Sequence, residues 1–353
     1  MEGEVPGKIE KVLIIGCGYH ARGNLIPALL HTNLFSKILI YDLYKKSFDE
    51  LRSNLTSDSL EKISFYENWA ILAKELNSEI LAVVSTPADS HLFYFEKLVG
   101  RGVKYYYIEK PLAQSLGDVN KIKKLSETGN IKIASGFYNS FISPVVNYNK
   151  YQNRYNLGNL CSVKAYGGNN DLSAFGIHII DLANVLFDSD PINIIANING
   201  TTINPRGEKY FYHGGSIILE YANMQELTIS YHSDSLISNR VQLIFKYGLI
   251  EFEYIDKTNM RIYSIQNKEE DIPIYKHQRA QLVDEIPLSF DWKLYFSQIF
   301  VNIINGNHYP DLNRNATATN SLIGSLISNE MGKMLQLPIG NDNLFYEKQY
   351  PIT

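Results

Sequence analysis

"KVLIIGCGYHARGNLIPALLHTNLFSKILIYD", residues 11–42, carries the fold in outline. Val12–Ile15 is an apolar run too short for a helix, and it ends on Gly16. A segment with Leu25, Leu29 and Leu30 at helical spacing follows, then a second apolar run from Lys37 to Tyr41. A helix between two short strands is a crossover, so the strands are expected to be parallel. The turn reads Gly16-Cys17-Gly18-Tyr19-His20-Ala21, a GxGxxA arrangement. Gly16 permits the tight turn, Gly18 lets backbone approach a pyrophosphate, and Ala21 allows close packing of helix on strand. The helix N-terminus adds amide donors and a positive dipole end. Asp42 closes the second run, about 20 residues past the glycines, where an acid grips the adenosine ribose. A carboxylate there repels a 2'-phosphate and favours NAD(H), while Lys45 and Lys46 close behind leave NADP(H) open. The alternative for Asp42 is a cap on the helix starting near Lys45.

The alternation continues outward. Candidate strands are 12–15, 37–41, 63–66, 80–85, 103–108 and 132–136, with helices at 25–31, 68–76, 90–99 and 116–126. This is an α/β pattern, a doubly wound parallel sheet with helices on both faces. After residue 136 the rhythm changes. One helical pattern at 173–186 precedes closely spaced β-rich stretches, "NIIANING", "GGSIILEYA", "QELTISYHS", "RVQLIFKYGLIEFEYI" and "MRIYSIQ". The spacings allow hairpins and no helical crossovers, so an open, mostly antiparallel sheet is expected. Helical patterns return at 292–304 and 316–335. The chain divides into a dinucleotide-binding domain, 1–136, and an α+β domain, 137–353.

Composition narrows the classes. With 353 residues, 45% apolar and 20% charged, the chain has the balance of a globular protein of about two domains. A net charge of -4 and no dense Lys/Arg stripe argue against nucleic acid. No window reaches the roughly 20 apolar residues of a membrane span, and the acidic N-terminus lacks a secretory signal's positive charge. Cys17 and Cys161 form no CxxC pair, which fits a reducing compartment; a cytoplasmic protein is expected.

A second stretch conflicts with itself. "YYYIEKPLAQS", residues 105–115, runs like a buried strand into Glu109, Lys110 and Pro111, which strand interiors disfavour. Such local conflicts mark functional sites. The conflict resolves if the strand ends at Ile108 and the charges emerge at the open end of the sheet, where ligands of α/β folds bind. On the later helix, Ala174, His178 and Asp181 fall at i, i+4 and i+7 and share a face. For a lone His among Ile177, Ile179 and Ile180, a satisfied core histidine is the competing reading.

"AVVSTPADSHLFYFEKLVGRGVKYYYIEKPLAQS", residues 82–115, resembles the Gfo/Idh/MocA oxidoreductase family, with its Thr-Pro after the strand, a His four residues on, and Glu-Lys-Pro. "GIHIIDLANVLF" is similar to that family's Gly-x-His-x-x-Asp helix, and "SLISNEMGKMLQLPI" to its closing helix. The resemblance implies a Rossmann domain, a nicotinamide cofactor in the cleft, and an open sheet that joins subunits into a homodimer or homotetramer. It implies sugars, inositols or sugar nucleotides as substrates. It places Ser85, Thr86 and Pro87 on the cofactor path with Tyr19 and His20, counts His91 there as a helix-start or packing residue, and sets Glu109 near the nicotinamide ribose. Lys110 then faces the reacting carbon as acid/base, with a cis bond to Pro111. His178 assists it, and Asp181 orients the imidazole or holds a substrate hydroxyl.

Hydride transfer at a carbinol carbon needs a group that takes or gives the oxygen's proton, which is the work assigned to Lys110. Tyr138 and Tyr166 are candidates for the substrate wall. The sequence departs from the family twice. Ala174 stands where the family's full catalytic set has Asp, and Ser140 where an arginine is expected. Asp171 is a candidate helix cap with Ser173. The departure at Ala174 keeps other readings open: a cofactor-binding sensor or accessory protein, or a reductase of an imine or unsaturated intermediate. A metal between His178 and Asp181 lacks a third ligand, so none is expected.

Overall fold

The computed structural model describes residues 9–168, 171–203, 209–232, 234–254, 257–265 and 279–353, without the side chains of 200–203. The ends of three expected strands, Ser233, Ile255 and Gln266, lie outside the described residues.

The first half is a six-stranded parallel sheet in the order β3-β2-β1-β4-β5-β6, made of β1 (Lys11–Ile15), β2 (Lys37–Tyr41), β3 (Ile63–Tyr66), β4 (Ile80–Val84), β5 (Tyr105–Ile108) and β6 (Lys132–Ser135). Val12–Ile15 and all of β4 are buried, as central strands covered on both faces must be. The helices are α1 (Ile26–Thr32), extended at its start by a π-helical turn Ala21–Leu25, α2 (Lys45–Arg52), α3 (Ser57–Glu61), α4 (Trp69–Leu72), α5 (His91–Val99) and α6 (Leu116–Gly129). Strand order reverses between β1 and β4, so the crevice at their carboxyl ends is the switch point where such sheets bind ligands.

The second half begins with α7 (Ser143–Val146) and α8 (Tyr148–Arg154), then β7 (Leu160–Gly168), a π-helical turn Leu172–Gly176 and α9 (Ile177–Phe187). There follow β8 (Asn193–Ile203), β9 (Phe211–Glu220), β10 (Glu226–His232), β11 (Arg240–Phe245), β12 (Gly248–Glu253), β13 (Thr258–Ser264) and β14 (Gln281–Leu288), then α10 (Trp292–Asn305), α11 (Leu312–Met331) and β15 (Leu335–Gln336). The sheet runs β14-β13-β12-β11-β7-β10-β9-β8-β15, with only β7 and β10 parallel among its described pairs. Alternate residues such as Val163, Leu227, Ile229, Val241 and Leu243 are buried on the face that α9 packs against, while Lys164, Thr228 and Gln242 point to the other.

The fold class is the expected one. β14, α7 and α8 escaped the sequence reading: β14 is an edge strand with Asp284, Glu285 and Pro287, α7 is a four-residue Ser-Pro-Val-Val turn too short to show a period, and α8 holds polar and tyrosine residues without an apolar stripe. Helices α10 and α11 return to the first sheet: α10 packs on α1 and β6, and α11 on α6, β6, α9 and β8.

Candidate functional site

The glycine turn is built as its residue types require. Gly16 has φ +92°, and its N–H donates to Tyr41 O at 2.9 Å. A Cβ there would lie 2.7 Å from Ser85 O, because β4 runs on over the turn. At Gly18 an added Cβ would meet nothing within 4 Å, so backbone faces open space. Ala21 is fully buried and Tyr19 exposed. Cys17 is buried, and burial first, then the Asp42 charge, push its thiol up to about 12, so it is an inert packing group.

Asp42 closes β2 and folds back on this turn. One carboxylate oxygen accepts the Cys17 N–H at 2.6 Å and the other the Tyr44 N–H at 2.8 Å. Tyr44 is the cap position of α2 and makes no side-chain cap bond. Asp42 therefore braces the glycine turn rather than capping the helix.

Thr86 and Pro87 follow β4. The Ser90 hydroxyl donates to Thr86 Oγ1 at 2.7 Å, and Ser85 N–H donates to Ile15 O at 2.8 Å. His91, counted with the cofactor-side residues as a helix-start or packing residue, starts α5 and packs in the interior. It is 1% exposed, with its ring nitrogens 2.7 Å from Thr86 O and 3.1 Å from Leu112 O. It ties the loop after β4 to the segment after Lys110-Pro111, and burial lowers its pKa. Across the cleft, Lys209 Nζ and the Tyr210 hydroxyl reach Asp89 at 2.6 and 3.0 Å.

At the carboxyl end of β5 the charges emerge. Glu109 is buried, and its Oε1 accepts from His20 Nε2 at 2.9 Å and from the Tyr107 hydroxyl. A carboxylate only accepts, so Nε2 carries a proton, and His20 Nδ1 lies 3.1 Å from Asn24 Nδ2. Burial alone would raise the Glu109 pKa, but the His20 charge and hydrogen bond, Lys110 and Tyr107 together hold it well below the usual carboxylate range. A Cβ at Gly136 would press within 3.1 Å of both Glu109 oxygens, so the next strand must leave room. Lys110-Pro111 is cis, as expected. Lys110 Nζ donates to Ala174 O at 2.7 Å, across from the first sheet to the turn before α9.

That turn starts at Asp171, whose side chain caps it by accepting the Ala174 N–H at 2.8 Å and the Ser173 hydroxyl. His178 follows on α9, 6% exposed, its ring stacked on Tyr138 at 4.5 Å and edge-on to Phe137 and Phe175. Its Nδ1 is buried without a hydrogen-bond partner. Burial first, then the Lys110 charge, lower its pKa well below the ordinary value, so it is neutral at pH 7. A buried orphan of this kind costs roughly 1–3 kcal/mol.

Two expected substrate contacts are not placed to make them. Asp181 is 1% exposed and taken: Arg314 forks onto it at 2.8 and 2.7 Å, and Asn139 Nδ2 donates to it at 2.7 Å. Tyr166 follows buried Ala165 on β7 and so points to the sheet's open face, away from α9. Tyr138 is where a wall residue belongs, between His178 and Trp292.

Arg314 and Asn139 were missed. Arg314 Nη1 donates to Ser140 Oγ at 2.6 Å, so a guanidinium reaches the place of the expected arginine from α11. The available signal was Asp311-x-x-Arg314 opening a helical pattern, which reads as a cap and nothing more. Among the described residues no three His, Cys, Asp or Glu side chains are grouped to hold a metal ion, and no helix is long and apolar enough to cross a membrane.

Residues 10–137 match the model of a family described as an oxidoreductase family with NAD-binding Rossmann fold, GFO_IDH_MocA. No curated protein matches the sequence. Three solved structures share the fold at 14% identity. An oxidoreductase from Agrobacterium radiobacter in complex with NAD+, L-tartaric acid and magnesium superposes with TM-score 0.70 over 93% of this chain and 98% of its own. A super-repressor mutant of Gal80p from Saccharomyces cerevisiae gives 0.71 over 92% and 97%. The myo-inositol 2-dehydrogenase from Lactobacillus plantarum gives 0.69 over 93% and 99%.

Proposed function

We propose that this chain, whose dinucleotide half belongs to the Gfo/Idh/MocA oxidoreductase family, is an NAD(P)-dependent dehydrogenase or reductase. It acts at a hydroxyl or keto carbon of a sugar, inositol or sugar-nucleotide-like substrate. The observation that carries the reading is the meeting of Lys110 with the turn before α9, beside a neutral His178 with an unpartnered ring nitrogen.

The cofactor's place fits the residues around it. Open space at Gly18 and the helix start at Ala21 suit a pyrophosphate, and Asp42 suits ribose hydroxyls and favours NAD(H). A bound nicotinamide supplies the hydride donor or acceptor. Lys110 Nζ gives or takes the proton at the substrate oxygen, and His178 hydrogen-bonds that oxygen from the other side. Glu109, held ionised, fixes His20 and the backbone of Lys110. Tyr138 and Phe175 flank His178 and keep water from it. The open face of the second sheet, with Tyr166, Ile218 and Ile244, joins two or four copies. Sedimentation is expected to show an oligomer that Tyr166→Asp with Ile218→Asp dissociates, and a monomeric parent protein would sink that assignment.

A second reading rests on Ala174 and on the likeness to Gal80p: a protein that binds the cofactor without turnover. Fluorescence titration with NADH and NADPH, then absorbance assays with polyols, sugars and sugar nucleotides, separates the two. Sub-millimolar NADH binding is expected, with turnover that Lys110→Ala lowers by about 100-fold or more. Binding without turnover favours the second reading, and no binding of either cofactor overturns both.

A further inference from the structure

Helix α11 enters pinned to the first sheet. Ser135 N–H donates to Pro310 O at 2.9 Å, Ala134 bridges Asp311, and Asp311 caps the Arg314 N–H at 3.1 Å. From this anchored turn two consecutive side chains go to opposite walls of the cleft. Arg314 forks onto Asp181 of α9, and Asn139 Nδ2 joins Asp181 Oδ2 to the backbone carbonyl of His178, each at 2.7 Å. The Tyr254 hydroxyl fixes Asn139 Oδ1 at 2.8 Å. Asn315, fully buried, donates to Ile108 O at 3.4 Å and accepts from Thr319, whose hydroxyl oxygen accepts the Leu112 N–H at 2.9 Å. Ile108 and Leu112 bracket Glu109-Lys110-Pro111.

We propose that the first turns of α11 are a spacer that sets Lys110 against His178, with Arg314, Asn315 and Thr319 as its positioning residues; this rests on the reading of Lys110 and His178 as the proton-handling pair. A helix bonded to the Ile108 and Leu112 backbone on one side of a cleft and to the Asp181 side chain on the other holds the two sides at a set spacing. The planar guanidinium fork fixes direction as well as distance. Apolar residues of similar volume would fill the same space, so a buried ion pair here is poorly explained by packing alone. The contact to Ser140 makes the arrangement exchangeable, because a guanidinium can be supplied from either side of that contact.

The test compares Arg314→Ala, the double variant Ser140→Arg with Arg314→Ala, and the milder Thr319→Val. Four quantities are read: melting temperature, NADH affinity, turnover of the best polyol, and the imidazole NMR signal of His178, assigned with His178→Gln. That signal senses the Tyr138 ring stacked 4.5 Å away. In Arg314→Ala the signal is expected to move and kcat to fall roughly 100-fold, with NADH affinity unchanged. The double variant is expected to recover signal and kcat. Thr319→Val is expected to lower kcat while leaving the His178 signal in place, since it loosens only the Lys110 side. A drop in melting temperature with an unmoved His178 signal, or a lost signal position that the double variant does not restore, overturns the spacer. If the parent protein turns over no polyol, sugar or sugar nucleotide, the functional reading falls, while the NMR arm still decides the spacer.

Discussion

The cleft has two walls, built on different principles. The glycine wall is local: Gly16, Gly18, Ala21 and Asp42 belong to one βαβ unit, and their bonds are mostly to backbone, with Asp42 holding the Cys17 and Tyr44 N–H groups. The His178 wall is assembled from distant segments, with Asn139, Asp181, Tyr254 and Arg314 meeting through side chains. A wall made of backbone geometry can be recognised from residue types. A wall made of side-chain pairs depends on the whole fold being right first.

Removing one carboxylate from each wall is expected to give opposite outcomes. Asp181→Ala strands a guanidinium that is 18% exposed, and breaking such a buried pair costs about 3–5 kcal/mol of stability. Asp42→Ala loses two backbone hydrogen bonds at a solvent-accessible edge, with roughly 1–2 kcal/mol as the expected cost and cofactor affinity as the main casualty. Chemical denaturation beside NADH titration reads both. Equal stability losses would erase the distinction between the walls.

Within the glycine wall, the two glycines separate strain from access. Gly16→Ala forces φ +92° on a residue with a Cβ and drives that Cβ to 2.7 Å from Ser85 O, so about 1–3 kcal/mol of destabilisation is expected. Gly18→Ala meets no atom within 4 Å, so melting should hold, and on the proposed function NADH affinity drops because the methyl enters the space proposed for the pyrophosphate. Calorimetry and titration on the two variants check this. A Gly18→Ala protein that binds NADH as well as the parent would remove the loop from the cofactor site.

The contrast explains what could be read in advance. Gly16, Ala21 and Asp42 were legible because each obeys a backbone constraint at a fixed spacing, and Lys110 because Glu109, Lys110 and Pro111 contradict a strand. His178 was legible only through the resemblance of its helix to the family's Gly-x-His-x-x-Asp pattern, since a histidine among isoleucines is otherwise core. Asp181 was misjudged for a physical reason. Nothing in its own helix announces an arginine from α11, so a carboxylate already paired looked available to a hydroxyl. Tyr166 was misjudged by parity: one residue along β7 reverses the face, and the helix-facing positions are Val163 and Ala165. Edge strand β14 was invisible because exposure removes the apolar alternation that marks a strand.

The two walls also share a weakness to acid, which gives the smallest expected effect. His91 and His178 are both buried and both have lowered pKa values, so in the folded protein they stay neutral as pH falls. The unfolded chain takes up protons at both below about pH 6.5. Stability is therefore fully present above that pH and declines as pH drops below it, toward the folded-state values. Glu109 adds a further decline below about pH 4.3, since its carboxylate is held ionised in the fold. His178→Gln should flatten the upper part of this profile without moving the lower part, and Glu109→Gln should do the reverse. Denaturation midpoints measured from about pH 2 to about pH 8 on the three proteins decide it. If His178→Gln leaves the slope below pH 6.5 intact, then His178 is protonated in the folded state, and the neutral imidazole on which the second wall depends is wrong.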